Sequence, residues 1–273
     1  MSTVEIITIG NELLLGDVLD TNTHWLCCQF RQLGATVRRV TMVPDEPEVI
    51  ADAVLQALQR APSLLILAGG LGPTSDDRTV ASLAAALHRP LVLDSKAHGM
   101  VQATYQRLAA ENVVHDDVLS DERRKMAFLP LGAEPLANAV GAAPGVFLQE
   151  GRTTLVCLPG VPEELQAIYL QSLLPRLPGL LAARVFEEHI LVTDCGDESR
   201  LAPVVDHVAR NHPGVYAKSR AKAYAVGVQL RITLSAFGDD AQEVQSSIEA
   251  AERDLIAGLG RVGINVLAKE RER

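Results

Sequence analysis

The sequence is poor in aromatic residues, which make up only 4% of its 273 residues, so its core is built from aliphatic side chains. Its four cysteines include no C-x-x-C pair; the spacing indicates neither a zinc site nor a disulfide framework, and we expect reduced thiols. No apolar run reaches the length of a membrane span, and the N-terminus lacks the basic region of a signal peptide. These features predict a cytoplasmic globular protein without a membrane partner.

Basic residues are also in short supply. The chain has 25 Lys and Arg against 34 Asp and Glu, a formal net charge of −9. Nucleic acids and anionic membranes select a basic surface, so this balance argues against both as partners. The short basic run Lys218–Lys222 is more typical of a solvated loop. The seven histidines show no H-x-H or H-E-x-x-H spacing, so no histidine is predicted to be catalytic or to bind a metal.

The first part of the chain alternates predicted strands and helices. Short apolar runs predict strands over Glu5–Ile9, Thr36–Val43, Leu64–Ala68 and Thr153–Leu158. The predicted helices are Thr23–Leu33, Pro47–Arg60, Thr79–Leu87, Lys96–Asn112, Asp121–Lys125 and Pro162–Leu174. Such alternation implies right-handed βαβ units. We therefore predict an α/β domain over residues 1–178, with three layers: a mostly parallel sheet and helices on both of its faces.

A second domain is predicted after residue 178. Two prolines and a glycine within Pro175–Leu181 break the pattern and predict a boundary there. The elements predicted beyond it are strands at Glu187–Val192, Gly214–Lys218 and Val226–Ser235 and helices at Glu198–Asn211 and Asp239–Gly258. This order predicts a small α+β domain over residues 179–265, followed by a charged, disordered tail over residues 266–273.

The segment Leu64–Thr79, LLILAGGLGPTSDDRT, carries the strongest functional signal. A buried strand ends at two glycines, whose lack of a side chain lets the backbone approach a ligand. The start of the following helix offers free N–H groups to a phosphate, and the adjacent carboxylates suggest a metal ion. A simple helix start, with Asp near the positive end of the dipole, is the alternative. The candidates here are Gly69, Gly70, Gly72, Pro73, Thr74, Asp76 and Thr79 for binding and Asp77 for metal and catalysis.

Three further Gly- or Pro-rich turns border predicted strands: GNELLLG from residue 10, NAVGAAPG from residue 138 and PGVPEE from residue 159. Ligands of open α/β sheets bind at the carboxyl edge, so the four turns together predict one phosphate site. Helix capping and plain turn formation are the alternatives for the individual side chains. The further binding candidates are Gly10, Asn11, Glu12, Gly16, Asn22, Asn138, Gly141, Gly145, Pro159, Gly160 and Glu164, and Asp45 and Asp20 are further catalytic candidates.

Four motifs, taken in chain order, resemble the N-terminal region of the CinA (competence/damage-inducible) proteins, within the molybdopterin-binding, MogA/MoaB-like superfamily. They are GNELLLG…DTN, GGLGPTSDDRT, NAVGAAPG and PGVPEE. The resemblance covers roughly Val4–Leu174, and the tail is similar to the KH-like domain that follows in CinA proteins. Full-length CinA proteins carry a further nicotinamide-mononucleotide deamidase domain. The chain ends before that domain would begin, so we expect no deamidase activity.

This resemblance implies a metal-dependent ADP-ribose pyrophosphatase that releases AMP and ribose 5-phosphate. It implies a divalent ion (Mg²⁺, Mn²⁺ or Co²⁺), potassium as a further helper and a homodimer. It ties Asp77 and Asp45 to metal and nucleotide chemistry. Ala142 stands where the family usually has Thr, which removes a hydroxyl contact, and Leu165 replaces a usual Met, a conservative packing change. Molybdopterin adenylyltransferase-like nucleotidyl transfer and non-catalytic nucleotide binding in a regulatory protein are the alternatives.

Overall fold

The computed structural model describes residues 2–182, 184–220 and 229–272, which form two compact units. The first unit comprises residues 2–30 and 35–182, and the second comprises residues 31–34 and the described residues from 184 onward. The change of unit along the chain thus falls a few residues after the boundary predicted at residue 178.

The first unit contains eight strands among its described residues: β1 (Thr3–Ile9), β2 (Thr36–Val43), β3 (Leu64–Ala68), β4 (Leu91–Leu93), β5 (Phe128–Pro130), β6 (Glu134–Leu136), β7 (Gly145–Glu150) and β8 (Thr153–Leu158). Its helices are α1 (Asn11–Leu15), α2 (Thr21–Gln32), α3 (Pro47–Gln59), α4 (Thr79–Ala86), α5 (Ser95–Ala110), α6 (Asp121–Lys125), α7 (Pro162–Ile168) and α8 (Leu177–Leu180).

The main sheet of this unit has the order β2-β1-β3-β8-β7-β6. The strands β2, β1, β3 and β8 run parallel, whereas β7 is antiparallel to β8, and β6 is antiparallel to β7. Every residue of β3 and β8 is buried, as expected for central strands of a parallel sheet. The predicted α/β class with a mostly parallel sheet is confirmed. The strands β6 and β7 were not predicted.

The core of this unit is aliphatic, as the composition predicted. Alternate residues of the central strands, among them Ile7, Leu65 and Leu155, belong to one apolar cluster with Ile50 of α3 and Leu83 of α4. Elsewhere α2 is tied to the segment after α7 by aromatic contacts. The ring of Tyr169 lies edge-on to Trp25 and to Phe30, at centroid distances of 5.0 and 5.8 Å.

The segment predicted to end the first domain is helical. The helix predicted over Pro162–Leu174 is α-helical to Ile168 and then forms a π-helical turn, Tyr169–Leu173. A 3₁₀ turn, Leu174–Arg176, and α8 follow, so the prolines predicted to break the chain lie inside helical turns instead. Each proline is in the first turn of its element, where a missing N–H leaves no hydrogen bond unmade.

The second unit is an α+β structure, as predicted. Its described elements are the strands β9 (Val185–Thr193), β10 (Val215–Arg220), β11 (Arg231–Gly238) and β12 (Val266–Glu272) and the helices α9 (Glu198–Asn211) and α10 (Ala241–Arg261). Its sheet has the order β10-β11-β9-β12 and is antiparallel throughout. The first residues of the strand predicted over Val226–Ser235, and the end of the basic run at 221–222, lie outside the described residues. No helix in the described ranges of either unit is long and apolar enough to cross a membrane.

The tail predicted to be disordered is a strand. β12 pairs with β9 along an edge of the four-stranded sheet. Lys269 of β12 donates a 2.6 Å hydrogen bond to the buried carboxylate of Glu252, which also lies 2.6 Å from Nδ1 of His189. The high charge of this segment therefore reflects ion pairing at a sheet edge, where charged side chains are common.

Candidate functional site

The carboxyl ends of β1, β2, β3 and β8 border a single cleft in the first unit, with a volume of about 450 Å³. That size is typical of small-molecule sites. Five glycines expose backbone to it: Gly10, Gly69, Gly70, Gly72 and Gly160. Five carboxylates also line it: Glu12, Asp45, Asp76, Asp77 and Glu164. The structure therefore brings together residues from all four turns singled out in the sequence.

The two glycines after β3 adopt conformations that a side chain would prevent. Gly69 has a φ of +112°, and a Cβ there would lie 2.1 Å from the carbonyl oxygen of Ile9. Gly70 has a φ of +66°, and its Cβ would lie 2.4 Å from Oγ1 of Thr79. The N–H of Gly69 donates to the carbonyl of Leu158 at 2.9 Å. The ends of three neighbouring strands can thus meet at the cleft because position 69 is a glycine.

Thr79, a predicted binding residue, has a structural role instead. It is completely buried, and its hydroxyl donates to the carbonyl of Gly69 at 2.7 Å. Its backbone N–H donates to the carbonyl of Gly70 at 3.2 Å. The two bonds close the loop between β3 and α4 at its base, so this side chain holds the loop rather than facing the cleft.

Asp77 organises the loop from within. Its Oδ2 accepts hydrogen bonds from the backbone N–H of Thr74 at 2.9 Å and from the Thr74 hydroxyl at 2.5 Å. The N-cap residue of α4 is Arg78, without a side-chain capping bond, so Asp77 is not the helix cap that the alternative proposed. The other carboxylate oxygen, Oδ1, accepts no hydrogen bond from the described residues. Asp77 therefore reaches the cleft with one oxygen held and one available.

A lysine side chain contacts this loop. The ammonium of Lys125, at the end of α6, donates to the carbonyl oxygen of Thr74, which lies 51 residues earlier in the chain. Burial lowers the pKa of Lys125, and the nearby carboxylates of Asp77 and Asp76 oppose that shift. Sequence reasoning predicted α6 but missed its part in the site. The signal that could have found it is the run Arg123–Lys125, three consecutive cations in an acidic chain.

Asp45 connects the ends of two strands. Its Oδ2 accepts a 2.8 Å hydrogen bond from the backbone N–H of Asn11, the first residue of α1. It does not cap α3, whose N-cap is Glu46 without a side-chain bond. Its Oδ1 accepts no hydrogen bond from the described residues. Asp45 therefore lines the cleft as predicted and also fixes the start of α1.

Asp20, the third predicted catalytic carboxylate, is a helix cap. Its two oxygens accept hydrogen bonds from the N–H and the hydroxyl of Thr23, at 2.9 and 2.5 Å, at the start of α2. It lines a smaller cavity of about 70 Å³ and is not among the residues that line the 450 Å³ cleft. Asn22 lines the same small cavity and donates to the carbonyl of Gly160 at 2.7 Å. The capping alternative was correct for Asp20.

Several predicted binding residues support the cleft without lining it. Gly16 ends α1 with a φ of +78°, and Gly145 begins β7. Asn11, Thr74, Asn138 and Gly141 belong to the loops that carry the lining residues. In contrast, Gly10, Pro73, Pro159 and Gly160 line the cleft directly. Ala142, where the resemblance expects a threonine, also lines the cleft. Leu165 is fully buried, in keeping with a packing role.

A second, more apolar cavity of about 340 Å³ adjoins the cleft, and sequence reasoning did not anticipate it. The two share Gly70, Leu71, Asp77 and Met126 on their walls. The remaining walls combine apolar side chains with charged residues of α6: Val80, Leu91, Phe128 and Val146 with Asp121, Arg124 and Lys125. The site thus offers an acidic, glycine-rich part beside a more apolar part that carries charges of both signs.

The donor set fits a metal ion that is only partly held by protein. Within the described residues, no three Asp, Glu, His or Cys side chains are grouped as metal ligands, so they form no cage of the structural-zinc kind. Mg²⁺ is usually held by one or two carboxylates together with substrate phosphates and waters. Asp45 and Asp77 fit that pattern, since each lines the cleft and keeps one oxygen without a hydrogen bond from the described residues.

The architecture and the site define an α/β ligand-binding domain whose cleft lies at the carboxyl edge of a mostly parallel sheet. Residues 5–179 match the family described as a probable molybdopterin binding domain, and the chain belongs to that family. Relatives include a protein of Pyrococcus abyssi, 37% identical over 245 residues (90% of this chain and 94% of that protein), and a protein of Thermococcus kodakarensis, 38% identical over 248 residues (91% and 95%).

Among solved structures, the chain is similar to the protein CinA, described as of unknown function, from Thermoplasma acidophilum. That match has a TM-score of 0.58 and 32% identity, and it covers 66% of this chain and 98% of that one. The CinA resemblance read from the four motifs is thereby supported for the N-terminal domain.

Proposed function

We propose that the cleft hydrolyses a nucleotide diphosphate, with ADP-ribose as the first candidate, to AMP and ribose 5-phosphate with a divalent metal ion. The observation that carries this proposal is the meeting of glycine backbone and carboxylates in one cleft of about 450 Å³. Backbone N–H groups suit phosphate oxygens, whereas carboxylates repel them unless a cation lies between. A site that combines both suits a phosphate ligand that arrives with a metal ion.

The backbone of the loop after β3 supplies the phosphate contacts in this proposal. Gly70 and Gly72 both line the cleft, and the backbone N–H of neither residue donates to another described residue. A backbone N–H without a protein acceptor can donate to a ligand, and a phosphate oxygen is a strong acceptor. Two cations of α6, Arg124 and Lys125, border the adjoining cavity together with the carboxylate of Asp121, and the cations favour the negative charge of the same ligand.

Asp45 and Asp77 would hold the metal ion. The ion, when bound, would neutralise the diphosphate and lower the pKa of a coordinated water. The protein supplies the rest of the arrangement. Thr74 fixes the carboxylate of Asp77 through two hydrogen bonds, and Asp45 is fixed by its bond to Asn11.

The test is turnover of ADP-ribose with Mg²⁺, Mn²⁺ or Co²⁺, with and without potassium, for the wild type and Asp77→Asn. We expect AMP to form and the variant to lose at least about 100-fold in kcat/KM, the cost of a several-kcal/mol charge interaction. Asp52→Asn is the matched control, because this exposed residue of α3 lines neither cavity. A wild type inactive with every metal, or an unimpaired Asp77→Asn, would overturn the proposal.

The second candidate is nucleotidyl transfer onto a pterin phosphate. The observation that favours it is the family match over residues 5–179. Incubation with ATP and molybdopterin tests this, and AMP transfer onto the pterin would replace the hydrolytic proposal.

A third candidate, non-catalytic nucleotide binding, predicts ADP-ribose affinity by calorimetry without turnover. A homodimer and a KH-like second unit remain predictions, and light scattering tests the first of them.

A further inference from the structure

The side chain of Asn138 makes four hydrogen bonds at the cleft. Its Oδ1 accepts from the backbone N–H groups of Val140 and Gly141, at 3.1 and 2.8 Å. Its Nδ2 donates to the carbonyl of Ala143 at 2.9 Å and to Oε2 of Glu164 at 2.7 Å. Because both ends of the amide are engaged, Asn138 fixes the turn and the Glu164 carboxylate relative to each other.

The turn also packs directly on that carboxylate. A Cβ on Gly141 would lie only 2.0 Å from Oε2 of Glu164. Glu164 is therefore held by the Asn138 amide and is closely approached by the backbone at Gly141. Such close support is typical of a side chain that must keep one orientation.

Helix capping does not explain this carboxylate. Glu164 lies in the first turn of α7, where a glutamate can bond back to the N-cap residue. No hydrogen bond among the described residues joins the backbone N–H of the N-cap, Val161, to Glu164, and the carboxylate accepts from Asn138 instead. It is half-buried and lines the same cleft as Asp45 and Asp77. Its Oε1 accepts no hydrogen bond from the described residues.

We propose that Glu164 is the general base of this cleft: its Oε1 takes a proton from the water that attacks the ligand's diphosphate. The inference rests on the proposed hydrolysis. The water oxygen forms a bond to one phosphorus while the bond from that phosphorus to the bridging oxygen breaks. The bridging oxygen leaves with the electron pair as part of the second phosphate, and the water's proton moves to Glu164. The products are two phosphate monoesters, and the base returns its proton to solvent.

The environment of Glu164 suits this task. Burial raises the pKa of Glu164, and the neighbouring Glu163 adds to that rise, while the hydrogen bond from Asn138 opposes it. A carboxylate with a raised pKa is a stronger base than an ordinary one, which favours proton removal from water near neutral pH.

The experiment compares Glu164→Gln with Glu163→Gln, a matched control whose side chain is exposed and lines neither cavity. Steady-state hydrolysis of ADP-ribose is measured from about pH 5 to 9, together with ADP-ribose affinity by calorimetry. We expect Glu164→Gln to lose about 10²–10⁴-fold in kcat with an affinity within about threefold of the wild type. The wild-type rate should fall as the pH drops through the raised pKa of Glu164, and the variant should lack that fall. Glu163→Gln should keep the wild-type kcat at neutral pH, and the acidic fall of its rate should move to slightly lower pH, because Glu163 adds to the raised pKa of Glu164.

A second variant separates a chemical from a structural role. In Glu164→Ala, added formate should restore part of the rate, since a small carboxylate can occupy the vacated space. Each contrary result has a distinct meaning. A wild type that cleaves no diphosphate overturns the proposed function and the base together. If the wild type is active, three results would overturn the role of Glu164 as the base but leave the proposed hydrolysis standing. These are a wild-type rate that does not fall at acidic pH, a Glu164→Gln variant that keeps its kcat, and a Glu164→Gln variant that loses only affinity for ADP-ribose.

Discussion

The carboxylate of Asp45 accepts a hydrogen bond of 2.8 Å from the backbone N–H of Asn11, 34 residues away in sequence. One cleft-lining acid thus anchors a second wall of the cleft, the helix that begins at Asn11. Capping and metal binding make different demands on this side chain, because the hydrogen bond needs an acceptor oxygen and the metal needs the negative charge.

Substitutions at Asp45 should separate these two roles. Asp45→Asn keeps an acceptor oxygen, so we expect its free energy of unfolding to stay within about 0.5 kcal/mol of the wild type. Asp45→Ala should lose about 1 kcal/mol, as a lost cap does. Both should reduce metal-dependent kcat/KM by at least about tenfold, because the charge is gone. Urea denaturation and ADP-ribose turnover measure the two effects. Full activity in Asp45→Asn would show that Asp45 is structural only.

Gly141→Ala should displace the Glu164 carboxylate. The new Cβ would meet it at 2.0 Å, and the backbone of Gly141 is not in the left-handed region, so the side chain should move rather than the fold. We expect kcat to fall at least about tenfold while the melting temperature changes little. Adding Glu164→Gln to this variant should cost less than the same change in the wild type, because both act on one group. Full additivity of the two changes would contradict this coupling.

Gly70→Ala should destabilise the first unit. A side chain at a φ of +66° is strained, and its Cβ would push against Oγ1 of the buried Thr79. Backbone strain and the weakened hydrogen bond from Thr79 to Gly69 together predict that the free energy of unfolding, measured by urea denaturation, falls by about 2–4 kcal/mol. Gly99→Ala is the control, since Gly99 lies inside α5 with open space around it, and it should gain up to about 1 kcal/mol. Equal stability of the two variants would be the contrary outcome.

Acid should lower the stability of the second unit because it protonates Glu252. Burial alone would raise the pKa of this carboxyl, but hydrogen bonds from Lys269 and His189 outweigh burial and hold the pKa below its ordinary value. A depressed pKa adds stability above the unfolded-state pKa, and this stability is lost as the pH falls through the folded-state value. Urea midpoints should therefore drop below about pH 4.5, the ordinary value, in the wild type.

The control for this acid sensitivity is a pair of charge-removing variants. Glu252→Gln should be less stable than the wild type at neutral pH and should show a smaller acid drop. Glu249→Gln removes a partly exposed carboxylate that lies 3.9 Å from Arg253, and it should follow the wild-type curve. The same acid drop in Glu252→Gln would assign the sensitivity to other groups.

The sequence predicted the central strands well for a physical reason. β2, β3 and β8 have the predicted bounds, because β3 and β8 are short, wholly buried apolar runs and all three end at glycine or proline turns. The reversed strand β7 was missed, since its mixed burial matches neither a buried run nor a clear alternation. The central strands are enough to predict the class of the sheet. The strands at its edge form by pairing with segments that local patterns do not identify.

For the site, the sequence predicted which loops form the cleft but not the role of each side chain in them. Asp20 and Asp45 both follow strands or precede helices, yet one caps α2 and the other lines the cleft. That difference depends on the path of each loop, which composition does not encode. The contact of Lys125 with Thr74 joins segments 51 residues apart, and no local pattern specifies such a pairing.

The two hydrogen bonds of Thr79 have one more consequence. The hydroxyl and the backbone N–H of this one buried residue hold the carbonyls of Gly69 and Gly70, so the start of the loop is joined directly to the start of α4. Exposed loop residues that line neither cavity, such as Ser75, can therefore change without opening this closure.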